Sequence, residues 1–209
     1  MKLLDIQQNY DGIFSLGNQC LSAYQLREYK LRPYAGPIDW MISFSFQDVI
    51  CLLQNQFKDF MKKENMVFKG YSSEIKGFLL LEDIKYNIVS VHDFLVTENT
   101  PENWTTYPEF KIKINRRIQQ FLNKLETCNK ILFVRIGGTY EEAQLLEEVL
   151  FKIVKNEFRI LLLNRISEYK IIEYDWDLQY TCSIGVPHTQ DVKIWDLILG
   201  NITLDIIKK

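Results

Sequence analysis

Cys20 stands three residues beyond Gly17, and Gly17 halts the apolar run Ile13-Phe14-Ser15-Leu16. A strand stopped by glycine and followed at once by helix-forming residues sets a thiol at a helix start. Free cysteine, with a pKa near ~8.5, is mostly protonated at neutral pH, and the thiolate is the form that attacks carbon. The unpaired N–H groups and dipole of a helix N-terminus favour the anion. A neighbouring imidazolium favours it more strongly. The chain holds two histidines, His92 and His188, and His92, near the end of the strand-like "NIVSVHDFL", is the candidate base. The side-chain amides of Asn18 or Gln19, or the N–H of Cys20, could donate to an oxyanion. A third group should orient the histidine. Asp93 is adjacent, although neighbours on a strand point to opposite faces; Asp39, Asp191 and Asn164 are the alternatives, and the sequence does not choose.

In an open parallel sheet, ligands bind beyond the carboxyl ends of the strands. The strand ends here supply Ser15, Gly17, Asn18 and Cys20; then His92 and Asp93; then Arg135 with Gly137 and Gly138; then Asn164 and Arg165; then His188. One edge would gather both histidines, a cysteine and two arginines. Asn18, Gln19, Arg135, Asn164, Arg165 and His188 are therefore the candidate contacts to a substrate or anion. Plainer readings stand beside these. Cysteine is among the most buried residue types, and Cys51, Cys128 and Cys182 read as packing. Arg135 has Glu141 and Glu142 nearby in sequence as salt-bridge partners, Arg116 and Arg117 read as a solvated helix face, and Trp40 as a core anchor.

The elements that must position these residues follow from periodicity. Ile13 to Leu16 reads as a strand and Leu21 to Arg27 as a short helix, with "LRPYAGPIDW" a loop broken by Pro33, Gly36 and Pro37. Apolar positions from Phe46 to Met61 keep a helical period, and "FKGYSSEIKGF" reads as irregular. Ile114, Ile118, Phe121, Leu122 and Leu125 mark an amphipathic helix. "KILFVRIGG", "FRILLLNR" and "QYTCSIGV" are strands. "YEEAQLLEEVLFKIVKN" is a helix with glutamates in its first turn and lysines at its end, as the dipole favours, and "DVKIWDLILG" closes the chain as another. The strands are continuous apolar runs, as in a parallel sheet covered on both faces. The expected fold is one three-layer α/β domain spanning residues 1–209, with a largely parallel sheet and helices on both faces.

Bulk composition narrows the function. The 209 residues are 47% hydrophobic and 25% charged with a net charge of −2, which gives no electrostatic case for nucleic acid or an anionic membrane. No run approaches the roughly 18 to 20 apolar residues of a membrane helix, and the start "MKLLDIQQNY" lacks the apolar segment of a secretory signal. Four widely spaced cysteines suit a reducing cytoplasm better than a disulfide framework. The histidines and acids show none of the usual metal-ligand spacings, and no G-x-G-x-x-G or Walker loop is present.

The ordered set "FSLGNQC", "LR", "PIDW", "VHDF", "RRIQQFL" and "ILFVRIG" resembles a bacterial family labelled "putative papain-like cysteine peptidases", a domain family of unknown function. The matching positions are Ser15, Leu16, Gly17 and Cys20; Leu31 and Arg32; Pro37, Ile38, Asp39 and Trp40; His92, Asp93 and Phe94; Arg116 and Arg117; and Arg135. Ile38 stands where phenylalanine is commoner. The resemblance implies Cys20 as nucleophile, His92 as base and, as the alternative fold, a papain-like α+β core with an antiparallel sheet. "LGNQC" is also similar to a turn in capsule-biosynthesis proteins that look like acyl-CoA-dependent acyltransferases. Both likenesses share an acyl-enzyme on cysteine, resolved by water or by a sugar hydroxyl. A small molecule, peptide or saccharide is the implied substrate; no cofactor is implied, with acyl-CoA a co-substrate in the transferase case.

Overall fold

Long apolar runs can be satisfied only where both faces of a sheet are covered. The computed structural model, which describes residues 1–73, 76–187 and 191–205, does this with two hydrophobic layers. Its elements run α1 (Leu3–Ile6), β1 (Asn9–Tyr10), β2 (Gly12–Ser15), α2 (Leu21–Glu28), β3 (Met41–Ile42), α3 (Phe46–Gln54), β4 (Met66–Tyr71), β5 (Phe78–Asp83) and β6 (Ile88–Leu95). They continue with α4 (Tyr107–Thr127), β7 (Lys130–Ile136), α5 (Tyr140–Ile153), β8 (Glu157–Ile166), β9 (Ile172–Tyr174), β10 (Thr181–Pro187), α6 (Val192–Leu199) and β11 (Thr203–Leu204).

The principal sheet has the order β2-β7-β8-β10-β9. Its first four strands are parallel and β9 alone runs antiparallel. Side chains alternate between its faces, as strand geometry requires. Ile131 and Phe133 of β7, with Ile160 and Leu162 of β8, join the core built with α3, α4 and α5. Leu132, Val134, Leu161 and Leu163 point the other way and pack with α1, α2 and α6. The three-layer α/β arrangement with a largely parallel sheet is thus observed. A capping box between Thr139 and Glu142 starts α5.

A second, antiparallel sheet, β3-β6-β5-β4, lies against the first core through Met41, Met66, Leu79, Leu81, Ile88 and Phe94. Part of this sheet falls in "FKGYSSEIKGF", where irregular structure is expected from the sequence. The alternating burial of β4 and β5 is the mark of a half-buried hairpin, masked by the polar, glycine-bearing segment between them. The expected long helix from Phe46 also ends early, at Gln54. Gln56, Phe57, Asp59 and Met61 adopt positive φ, and the buried Asp83 carboxylate accepts the Met61 N–H at 2.5 Å. Phe57, Phe60 and Met61 remain buried, so the apolar period persists while the backbone turns. Among the described residues, no helix is long and apolar enough to cross a membrane.

Candidate active site

The turn carrying Cys20 is tied at three points. Gly17 and Asn18 both sit in the left-handed region, at φ +80° and +77°, and reverse the chain between β2 and α2. The Ser15 hydroxyl accepts the Gly17 N–H and lies 2.7 Å from the Ser22 hydroxyl in the first turn of α2. Ser43 clasps Asn18 on both sides: its Oγ accepts the Asn18 N–H and its N–H donates to the Asn18 carbonyl. Beneath the turn, Arg135 donates to the Leu16 carbonyl at 2.6 Å and to the Ser43 carbonyl at 2.9 Å. Cys20 emerges at the N-cap of α2.

Gly17 is required here for two reasons. Its φ is one that L side chains avoid, and a Cβ would stand 2.3 Å from Ser43 Oγ, an atom already engaged with Asn18. Gly17→Ala is expected to destabilise the fold by about 2–3 kcal/mol, read as a lowered urea midpoint.

His92 comes from the middle of β6 in the antiparallel sheet. The expectation that it ends a strand of the parallel sheet, on the same edge as Arg135 and Asn164, is corrected by this topology. Its presentation depends on a bulge. Leu79 pairs with Phe94 and Leu81 with Ser90, so Leu80 alone opposes Val91, His92 and Asp93. Such irregularities re-aim side chains. His92 Nε2 comes to 3.5 Å from Cys20 Sγ. The imidazole packs steeply inclined to the rings of Trp40 and Phe78, at centroid distances of 5.8 and 6.2 Å and interplanar angles of 75° and 61°. Cys20 and His92 are both half-exposed and line one cavity of about 500 Å³ with Gln19, Trp40 and Ile42.

Asp93 serves another neighbourhood. Its carboxylate accepts from the Ser90 hydroxyl at 2.5 Å and pairs with the Lys113 ammonium of α4. It is not among the described residues lining the cleft. Trp40 is held by the loop before it: Arg32 donates to Asp39 at 2.7 Å and to the Ala23 carbonyl, and Asp39 also accepts the Gly36 N–H. The Arg32 guanidinium lies 5.0 Å from the centre of the Trp40 ring. Burial pushes the Asp39 carboxyl upward against the opposing pull of Arg32 and the Gly36 N–H. Arg117, half-buried on α4, lies in the electrostatic reach of both Asp39 and Asp93.

The remaining sequence candidates are spread out. Gln19 lines the cleft, whereas the Asn18 amide packs toward Gly137. Arg135 is 1% exposed, with the ring of Phe46 at 4.3 Å. Its hydrogen bonds go to carbonyls; burial, opposed by the charge of Glu142, draws its pKa down to about 10, which still leaves it cationic at neutral pH. Asn164 accepts the Gly138 N–H and donates to Ser183, stitching strand ends together. Arg165 is exposed at the end of β8. His188 falls outside the described residues. Sequence reading missed Tyr24, Ile42, Leu80 and Val91 as cleft residues; the two-residue "MI" strand gives no periodic signal for Ile42. The aspartate-tryptophan pair at 39–40 was the visible clue to Trp40.

Thiol accessibility separates the four cysteines. Cys128 and Cys182 are 3% and 0% exposed, and burial pushes both thiols up, Cys182 to about 12. Neither is expected to react with iodoacetamide in the folded protein, and both should react once urea unfolds it; peptide mass spectrometry reads the difference.

A parallel-sheet α/β protein with a thiol and an imidazole facing one another across a cleft is the class that fold and site define. A family model described as "Putative papain-like cysteine peptidase" matches residues 11–167, and the chain belongs to that family. No curated protein and no solved structure matches it.

Proposed function

We propose that the protein is a cysteine-nucleophile acyl hydrolase in which Cys20 forms the acyl-enzyme and His92 is the general base. The observation that carries this is the 3.5 Å separation of Sγ and Nε2 within the cleft, short enough for proton transfer after a small adjustment. His92 takes the thiol proton as Sγ attacks the acyl carbonyl carbon. The bond to the leaving group breaks, and the imidazolium returns the proton to that group. Water, deprotonated by His92, then attacks the thioester, and Cys20 leaves as the thiol. The Gln19 side chain and the N–H groups at the start of α2 are the candidate oxyanion donors. The helix start also favours the thiolate.

Orientation of His92 is assigned to the Trp40 and Phe78 rings, with Arg32 and Asp39 fixing Trp40. Asp93 and Lys113 hold β6 against α4. A non-catalytic α/β module that binds an anionic ligand at the strand C-terminal edge, through Arg135, is an alternative with less support, because both terminal guanidinium nitrogens already serve carbonyls. A sugar hydroxyl in place of water would turn the same acyl-enzyme to transfer, with an acyl-CoA as donor.

The test is acylation by p-nitrophenyl acetate followed by mass spectrometry of the intact chain and its peptides. One acetyl group on Cys20, absent in Cys20→Ala, is the expected result. An unmodified Cys20 in rapidly acid-quenched samples, with p-nitrophenolate released no faster than by Cys20→Ala, would refute the proposal.

A further inference from the structure

The cleft beside Cys20 has a definite chemical character. Leu21, Tyr24, Trp40, Ile42, Leu80 and Val91 form its apolar lining, and Gln19, Ser72 and Ser73 supply neutral polar groups. Among the described residues lining it, none carries a carboxylate, an ammonium or a guanidinium. The apolar groups come from three separate elements: α2, the segment 40–42 that includes β3, and the open face of the β5–β6 pair. Ile42 and Leu80 are half-buried and Tyr24 is 42% exposed, so this apolar surface is presented to whatever enters. The charges nearby are turned to other partners. Arg32 pairs with Asp39, and Lys113 with Asp93. Arg27 lies over the Tyr24 and Trp40 rings at 5.2 and 5.7 Å, a cation at the mouth with the apolar floor behind it.

We infer that this cavity of about 500 Å³ is an acyl subsite for an uncharged aliphatic or aromatic acyl group, with Ile42 and Leu80 as specificity-determining residues. The inference rests on Cys20 being the acylated residue and names the substrate class of that site. Desolvation gives the reason. An aliphatic chain entering this lining leaves water for apolar contacts, which favours binding by about fourfold per fully buried methylene. A carboxylate entering the same space would lose hydration and find, among the described residues that line it, no cation other than the His92 imidazolium, which is committed to Cys20.

The experiment uses the full chain and N-acetylcysteamine thioesters, so that the leaving group is constant and only the acyl part varies. Acylation of Cys20 is followed by mass spectrometry in single turnover with acetyl, butyryl, hexanoyl and succinyl donors. Hexanoyl is expected to exceed acetyl by on the order of a hundredfold at full burial of four methylenes. Butyryl should exceed succinyl, which has the same chain length and an added charge. Filling the cleft with Ile42→Trp or, on a different strand, Leu80→Trp should bring the hexanoyl-to-acetyl ratio down toward one. A folded variant is verified by circular dichroism, and two sites guard against failure of either.

A flat chain-length profile, or faster reaction with succinyl than with butyryl, would overturn the inference. If Cys20 is still acylated in that case, the hydrolase reading survives and only the substrate class is wrong. If Cys20 accepts no acyl group from any donor, both fall together.

Discussion

His92→Ala is expected to slow thioester hydrolysis at Cys20 by about a hundredfold to ten-thousandfold, the range associated with a positioned general base. Its effect on alkylation by iodoacetamide should be smaller and informative. A thiol left near pKa ~8.5 is only a few per cent ionised at pH 7. The thiolate that does form is intrinsically more nucleophilic as its pKa rises. The two tendencies partly cancel, so alkylation at pH 7 should fall by about tenfold and by more at pH 6. His92 is half-exposed, so the variant should stay folded, and its urea midpoint provides the control. A variant that hydrolyses as fast as the parent would remove the imidazole from the reaction altogether.

Asp39→Ala carries the largest expected loss of stability, about 3–5 kcal/mol. Asp39 and Arg32 have side chains only 1% and 7% exposed, and removing one partner leaves a charge buried without compensation. Removing both is a different matter, since a buried ion pair can often be replaced by apolar groups of similar volume at little cost. The pair Asp39→Leu with Arg32→Met should recover much of the lost stability, measured by urea unfolding. Reactivity should not recover with it. Arg32 lies against Trp40, and Trp40 packs against the His92 ring, so the repaired variant is stable but holds its imidazole loosely. Stability and Cys20 alkylation changing in parallel across these variants would show that the pair acts only on folding.

Much of this architecture is written in local patterns. The strand from Lys130 to Ile136 and the helix from Tyr140 to Ile153 are legible because one is a continuous apolar run and the other an amphipathic helix whose charges suit its dipole. The Gly17 turn is legible because an apolar strand can be halted by a residue that tolerates positive φ. The antiparallel sheet was harder. Its hairpin alternates correctly on either side of residues 72–77, but the bulge that aims His92 is set by pairing with Leu79 and Leu81. Register between distant strands leaves no trace in either strand alone.

Charges were the least legible part. Arg135 sits at a strand end, where a ligand contact was expected, yet the fold brings the carbonyls of Leu16 and Ser43 to it first. Asp93 looked like a partner for its neighbour His92, and Lys113 from the following helix meets it instead. Trp40 read as core and stands beside the imidazole. In each case a long-range contact decides between two local readings that the sequence leaves equal.

The rate of Cys20 alkylation by iodoacetamide as a function of pH, in the parent and in His92→Ala, addresses the thiol–imidazole pair most directly. The parent should react with its half-rise well below ~8.5, the value of an unperturbed thiol, and the variant should move back toward it. Two superimposed curves, both rising where a free thiol does, would mean that the sulfur gains nothing from the ring 3.5 Å away.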